Sequence, residues 1–245
     1  MIQHVSEAIV LRTWPFQEAD LLVSLFTRDQ GRIKGVARHA MRSRRRFGGA
    51  LEPMTHVRAP SAARPRPELM RLDGFEVLSS PLSRPVDYAR TAALQLIAEV
   101  LEEAMPEQAP EDAVFRLALA VLEETEVGRA WMPVTYFALW MARLMGWMPE
   151  LGHCTACGLD LRGSAVWWSA NADGVTCADD HRPGAAALAA ESVALARRIF
   201  RATVKELAQE EWPHTRATDL RLFAIELLER HLEGRLVSAR ALGRT

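Results

Sequence analysis

Residues 5–38 read VSEAIVLRTWPFQEADLLVSLFTRDQGRIKGVAR, and this stretch decides how the N-terminal part of the chain folds. It holds three short segments rich in β-branched and aromatic residues, Val5–Thr13, Ala19–Thr27 and Arg32–Arg38. Asp29-Gln30-Gly31 is a turn signal between the second and the third. Two further segments of strand character, Leu51–Arg58 and Glu68–Leu78, are separated by the Pro- and Arg-rich run Pro60–Pro67. Five strands in about 75 residues, with one longer excursion after the third, predict a small closed or partly open barrel of the OB type. Strand count alone also admits an SH3-like barrel.

The excursion carries the charge. Residues 31–49, GRIKGVARHAMRSRRRFGG, contain seven basic side chains (Arg32, Lys34, Arg38, Arg42, Arg44, Arg45, Arg46) and no acidic one. Residues 1–85 hold 14 Arg and Lys against 8 Asp and Glu, whereas residues 86–245 hold 16 against 23. A formal net charge of −1 therefore hides two regions of opposite sign, a pattern that points to a polyanion contact on one of them. All but two of the 30 basic residues are Arg, so part of the enrichment reflects composition, and a charge run is often just a solvated face.

From Pro81 onward apolar residues recur at helical steps, with Leu94, Ile97 and Leu101 in one segment and Val114, Leu117 and Val121 in the next. Leu220, Phe223, Leu227 and Leu228 form the apolar face of a late helix whose N-cap candidate is Thr218. The most apolar stretch, Trp131 to Met148, is broken by Arg143 and Gly146 and is short for a bilayer span. The N-terminus lacks a basic segment followed by an apolar one, so no signal peptide is indicated and a soluble cytoplasmic protein is expected. Between the helical blocks, Leu151–Pro183 is poor in apolar periodicity and rich in Gly, Asp and Cys, where a small non-helical insertion belongs.

All three cysteines fall in that insertion, as Cys154-x2-Cys157-x19-Cys177-x3-His181. Thiolate and imidazole are ligands that Zn²⁺ favours, and four protein ligands close a site, which implies a structural metal. Cys154, Cys157, Cys177 and His181 are the expected ligand set; Asp180 and His153 are the competitors for the fourth place. No P-loop, dinucleotide fingerprint, nucleophile elbow or His-Glu-x-x-His motif is found, and His231-Leu232-Glu233 lacks the later Cys pair that a zinc deaminase needs.

These residues in this order resemble the bacterial RecO family of recombination mediators. The N-terminal likeness runs through Glu7-Ala8-Ile9-Val10-Leu11, Glu18-Ala19-Asp20, Leu25-Phe26-Thr27, Gly31-Arg32 and the basic loop ending in Phe47-Gly48-Gly49, Leu51 and Pro53. A second block covers Phe137 to Leu144, Gly146, Pro149, Leu151 and Cys154-Thr-Ala-Cys157-Gly158. The chain departs from the family pattern where a second Cys-x2-Cys is usual, offering Asp180 instead.

The resemblance implies an α+β multidomain chain: an OB-fold at 1–80, an all-α domain at 81–150 and 184–245, and a zinc-ribbon-like insertion at 151–183. It implies a non-enzymatic, cytoplasmic, nucleoid-associated protein without a membrane partner. Its activity would be to bind single- and double-stranded DNA, anneal complementary strands and assist recombinase loading onto strands coated by single-strand-binding protein. The implied partners are the mediator RecR and the acidic C-terminal tail of that coating protein. The seven basic residues above are the expected DNA contacts. Phe47 is expected as a loop anchor, and Arg197, Arg198 and Arg201 beside Phe200 are the first place to look for a peptide groove. An RNA- or transcription-associated factor and a zinc hydrolase are the alternatives from other classes; selection by the 2′-hydroxyl, or an open metal position, would distinguish them.

Overall fold

The structure, a computed structural model, describes residues 3–43, 46–62 and 70–242. In chain order the strands and helices are β1 (Gln3–Phe16), β2 (Asp20–Thr27), β3 (Gly31–Ala37), β4 (His56–Ala62), β5 (Met70–Leu72), β6 (Glu76–Ser79), α1 (Tyr88–Ala104), α2 (Asp112–Glu124), α3 (Trp131–Leu144), β7 (Val166–Trp168), β8 (Ala186–Leu188), α4 (Ala190–Ile199), α5 (Val204–Leu207), α6 (Thr218–His231) and α7 (Val237–Leu242). They form two compact units, 1–128 with 236–245, and 129–235.

The first unit is built on a curled, OB-like sheet in the order β5-β3-β2-β1-β4-β6, antiparallel except where β5 runs parallel to β3. Alternation along β3, with Ile33 and Ala37 buried and Lys34 half-exposed, turns one face inward. Val10, Val23, Leu25, Ile33, Leu51 and Val57 pack there, each side chain worth roughly 1.5–3 kcal/mol on burial. The fifth expected strand is split into β5 and β6 by Asp73-Gly74-Phe75. That break holds the basic loop: the Phe75 N–H donates to the Arg46 carbonyl at 3.2 Å, and the Phe75 ring meets Phe47 edge-on at 5.8 Å. Leu51 lies in a 3₁₀ turn rather than in the fourth strand, which runs instead from His56 into the Pro-rich run as far as Ala62. Among the described residues β6 pairs with residues 56–58 of β4 and stops short of Pro60, so the missing N–H there costs no β4–β6 ladder bond.

Helices α1, α2 and α7 belong to the same unit. Phe115 of α2 packs on Phe26 of β2, ring centroids 5.7 Å apart. The turn at Gly31 (φ +72°) presses against Ala109; a Cβ there would overlap the Ala109 backbone. Arg90 is buried, its guanidinium donating to the carbonyls of Thr125, Pro81 and Pro85 at 2.9 Å each, and burial lowers its pKa. This ties the connection at 81–85 to the end of α2.

In the second unit α3 packs on α6, with Val134, Phe137 and Met141 buried from the first and Leu220, Phe223 and Leu227 from the second. The late helix begins at Thr218, not after it. Ala217 takes the cap position with φ +54°, and the Thr218 hydroxyl donates to the His214 carbonyl. Strands β7 and β8 form a two-stranded ribbon in the Cys-rich insertion. Among the described residues no helix is long and apolar enough to cross a membrane.

Candidate nucleic-acid interface and metal centre

The structure divides the expected cationic residues into two groups. Arg32 is largely buried, its Nη1 3.1 Å from Glu102 and 3.4 Å from Glu107 and its Nε donating to the Met105 carbonyl at 2.9 Å. Lys34 Nζ lies 3.2 Å from Glu107. Arg46 donates to the Arg38 carbonyl at 2.8 Å and to Ser43 Oγ, and its guanidinium covers the Phe47 ring. Phe47 is 3% exposed, an anchor of the loop as expected.

Arg38 and Arg42 are different. Both are exposed, and among the described residues neither meets a carboxylate. The backbone sets them there: the His39 N–H donates to Asp20 Oδ1 at 2.8 Å, His39 takes φ +54°, and a 3₁₀ turn at Ala40–Arg42 follows. Arg44 and Arg45 lie outside the described residues. Sequence reading did not separate the two groups, because the carboxylates that engage Arg32 and Lys34 sit some 70 positions downstream.

The three cysteines come together, and the fourth side chain beside them is Asp180. Cys154, Cys157, Cys177 and Asp180 bring one donor atom each within 4.8 Å of one another, and this set can hold a metal ion. The first turn is closed by Gly158 N–H donating to the Cys154 carbonyl at 2.9 Å, with Gly158 at φ +77°. Cys157 Sγ and Cys177 Sγ are 3.9 Å apart. Tetrahedral ligands at about 2.3 Å from a zinc ion stand about 3.8 Å from each other. Asp180 Oδ2 lies 3.1 Å from Cys177 Sγ and 3.3 Å from Cys154 Sγ. Hydrogen bonding to Asp180 pushes the Cys157 thiol up to about 12 and raises that of Cys177.

His181, the expected fourth ligand, is not part of this cluster. Its Nδ1 lies 2.6 Å from the Ala178 carbonyl and its ring stacks on Trp167. The turn after Cys177 repeats the x2 spacing of the first pair, so the third residue on points back to the sulfurs and the fourth points past them. His153 is also outside, with Nδ1 2.8 Å from Glu150.

In the second unit, Arg197 and Arg201 do line a groove beside Phe200, together with Arg143, Met148 and Leu151; its volume is 690 Å³. Arg198 does not, being paired with Glu210. The Arg143 guanidinium sits over the Phe200 ring at 4.6 Å.

A curled OB-like sheet with a cationic loop, joined in one chain to a helical unit with a four-donor Cys/Asp cluster, defines a two-unit α+β protein with a candidate metal centre. The profile described as Recombination protein O N terminal matches residues 1–81, and Recombination protein O C terminal matches residues 85–240. The chain is 53% identical over 237 residues to the DNA repair protein RecO of Koribacter versatilis (strain Ellin345), covering 97% of both. It is 32% identical over 238 residues to that of Anaeromyxobacter sp. (strain K), covering 96% of this chain and 93% of the relative. With Geobacter sulfurreducens RecO it shares 32% over 196 residues, 79% of each. The chain belongs to the RecO family of DNA repair proteins.

Proposed function

We propose that this protein binds single- and double-stranded DNA through the loop that follows β3, anneals complementary strands, and assists recombinase loading onto strands coated by single-strand-binding protein. The observation that carries the reading is the pair Arg38 and Arg42, exposed on the barrel without carboxylate partners among the described residues. Guanidinium groups so placed neutralise phosphates and release counterions, which lowers the repulsion between two strands and leaves the bases free to pair. Arg44 and Arg45 extend the same run in sequence. Arg32, Lys34 and Arg46 act mainly by holding the loop and its strand in place. The work is charge neutralisation, with no bond made or broken.

The cluster of Cys154, Cys157, Cys177 and Asp180 is proposed to hold a structural Zn²⁺, since three thiolates and one carboxylate in a closed arrangement suit that ion. Its role is to fix the turns of the insertion. For partners we propose RecR and the acidic tail of the coating protein, the latter received by the groove of Arg143, Arg197, Arg201 and Phe200 on grounds of charge. Setting is proposed to be the cytoplasm, at the nucleoid.

The test is an annealing assay with complementary oligonucleotides across a salt series. An Arg38→Ala/Arg42→Ala protein is expected to anneal several-fold more slowly at low salt while its circular dichroism is unchanged. Equal rates for the two proteins at every salt concentration would reject this placement of the DNA contact.

A further inference from the structure

On the other side of the Met148–Glu150 segment from the cationic groove, the second unit has a cleft of 370 Å³ of the opposite character. Its walls are aromatic. Helix α3 ends at Gly146 (φ +74°), and the N–H groups of Trp147 and Met148 both return to the Ala142 carbonyl, at 2.8 and 3.1 Å. This cap swings Trp147 over to His231, on which it stacks with centroids 5.1 Å apart and planes 10° from parallel. Trp168 of β7 forms the facing wall, edge-on to Phe223 at 5.0 Å.

The polar lining mixes donors, Arg230, Thr155 and Ser169, with the carboxylate of Glu226. Glu226 projects from α6 between Phe223 and Arg230, and among the described residues no basic group reaches it. Arg230, one turn on, is the natural partner, but it is turned away. Its Nη1 donates to the Ala172 carbonyl at 2.8 Å and its Nη2 is paired with Asp173. His231 Nδ1 lies 2.8 Å from the Leu227 carbonyl, which can only accept, so Nδ1 carries a proton and the ring is held against Trp147. Burial, reinforced by neighbouring Glu229, raises the Glu226 carboxyl, a cost that a cation would relieve.

We propose that this cleft docks an arginine side chain presented by a partner protein. The guanidinium stacks on the half-buried indole of Trp147, with the largely buried Trp168 at the cleft wall, and donates to the Glu226 carboxylate. A planar, delocalised cation matches flat aromatic walls and a carboxylate better than a compact ammonium, and the cleft volume admits the side chain together with flanking backbone. The cleft contains none of the four cluster donors, although Thr155 of the Cys154–Cys157 turn borders it, so the test is run on protein of constant metal content.

The full-length protein, labelled at its indole nitrogens, is titrated with the peptide Ac-Gly-Arg-Gly-NH2 and followed by NMR. The Trp147 and Trp168 signals, assigned with Trp147→Phe and Trp168→Phe, are expected to move saturably. The citrulline analogue, equal in shape but uncharged, is expected to bind roughly fivefold or more weakly, and Glu226→Gln to weaken the arginine peptide by a similar factor. Glu226→Gln should keep the wild-type melting temperature and DNA affinity. Equal binding of the citrulline peptide, an unchanged affinity in Glu226→Gln, or unmoved indole signals would overturn the proposal. So would spermidine binding as tightly as the arginine peptide, which would make the cleft a site for free polycations.

Discussion

Arg32 and Glu102 form an ion pair at 3.1 Å in which both side chains are nearly withdrawn from water, 15% and 11% exposed. Glu102 is held from its other side by Ser24, whose hydroxyl donates to Oε2, and Arg32 also donates to the Met105 carbonyl. A basic residue in the cationic run is thus spent on joining β3 to the end of α1. Replacing Arg32 by Ala strands a part-buried carboxylate, so the expected loss is about 2 kcal/mol, below the 3–5 of a fully buried pair. DNA affinity should fall much less than in Arg38→Ala. Thermal melts and a binding titration on the same preparation check both halves; a large affinity loss with an unchanged melt would assign Arg32 to the DNA surface.

Arg38 and Arg42 carry the complementary prediction. If each contacts one phosphate, each Ala substitution lowers the slope of log K against log salt for single-stranded DNA by about 0.7, without sequence preference. Stability should change by less than about 0.5 kcal/mol, as for exposed side chains without partners. Fluorescence anisotropy at four or more salt concentrations reads the slope directly, and an unaltered slope in both variants excludes them as phosphate contacts.

The contrast between these arginines marks where the sequence was legible. Runs of β-branched and aromatic residues placed β1, β2 and β3 to within a few residues, because the strands supply the core, β3 with one face and β1 and β2 with consecutive buried residues, and Gly31 marks the turn between β2 and β3. The helical steps at Leu94, Ile97 and Leu101 likewise located α1, and the x2 spacing located the cysteine turn. What sequence could not show was which charges face inward. Arg90 and Arg221, which no sequence pattern singles out, are 2% and 4% exposed and bonded to backbone carbonyls of loops distant in sequence or just preceding. The break of the fifth strand at Gly74 was hidden for a similar reason. It exists to pack Phe75 under a loop nearly 30 positions earlier, a contact with no local signature. Ligand chemistry points to His181, whereas the turn brings Asp180, at the x2 position, beside the sulfurs.

The identity of the fourth ligand is itself testable. Asp180→Ala is expected to lower zinc content and leave the remaining metal easily removed by a chelator, while His181→Ala retains the wild-type stoichiometry. Cobalt substitution gives a second readout, since loss of the carboxylate alters the ligand-field bands and loss of an uninvolved imidazole does not. Equal metal loss in both variants would return His181 to the site, and full retention in Asp180→Ala would remove the carboxylate from it.

Gly31 is expected to be intolerant of substitution. A left-handed conformation costs a side chain roughly 1–2 kcal/mol, and a Cβ here also runs into the Ala109 backbone, which adds about 1–3 kcal/mol of overpacking. Gly31→Ala should therefore be destabilised by about 3 kcal/mol, whereas Gly49→Ala, which meets nothing within 4 Å, should be near neutral. Chemical denaturation of the two variants checks the pair, and equal midpoints would show that the β2–β3 turn does not press on the loop after α1 in solution.

His56 gives the first unit a pH dependence whose sign follows from burial. Its ring sits against Phe115 with centroids 6.1 Å apart, and Nε2, buried and without a hydrogen bond, lies 3.6 Å from Glu7. Burial lowers its pKa from 6.5, outweighing Glu7 and the more distant Glu123, while Arg58 acts in the same direction as burial. The unfolded chain then takes up a proton near pH 6.5 that the folded chain resists, so stability is full above that value and is lost as pH falls toward the depressed folded value. His56→Gln should flatten the dependence of the denaturation midpoint between about pH 7 and 5. A parallel decline in both proteins would show that other groups, the acidic partners of Arg28 and Arg32 first among them, set the acid sensitivity of this unit.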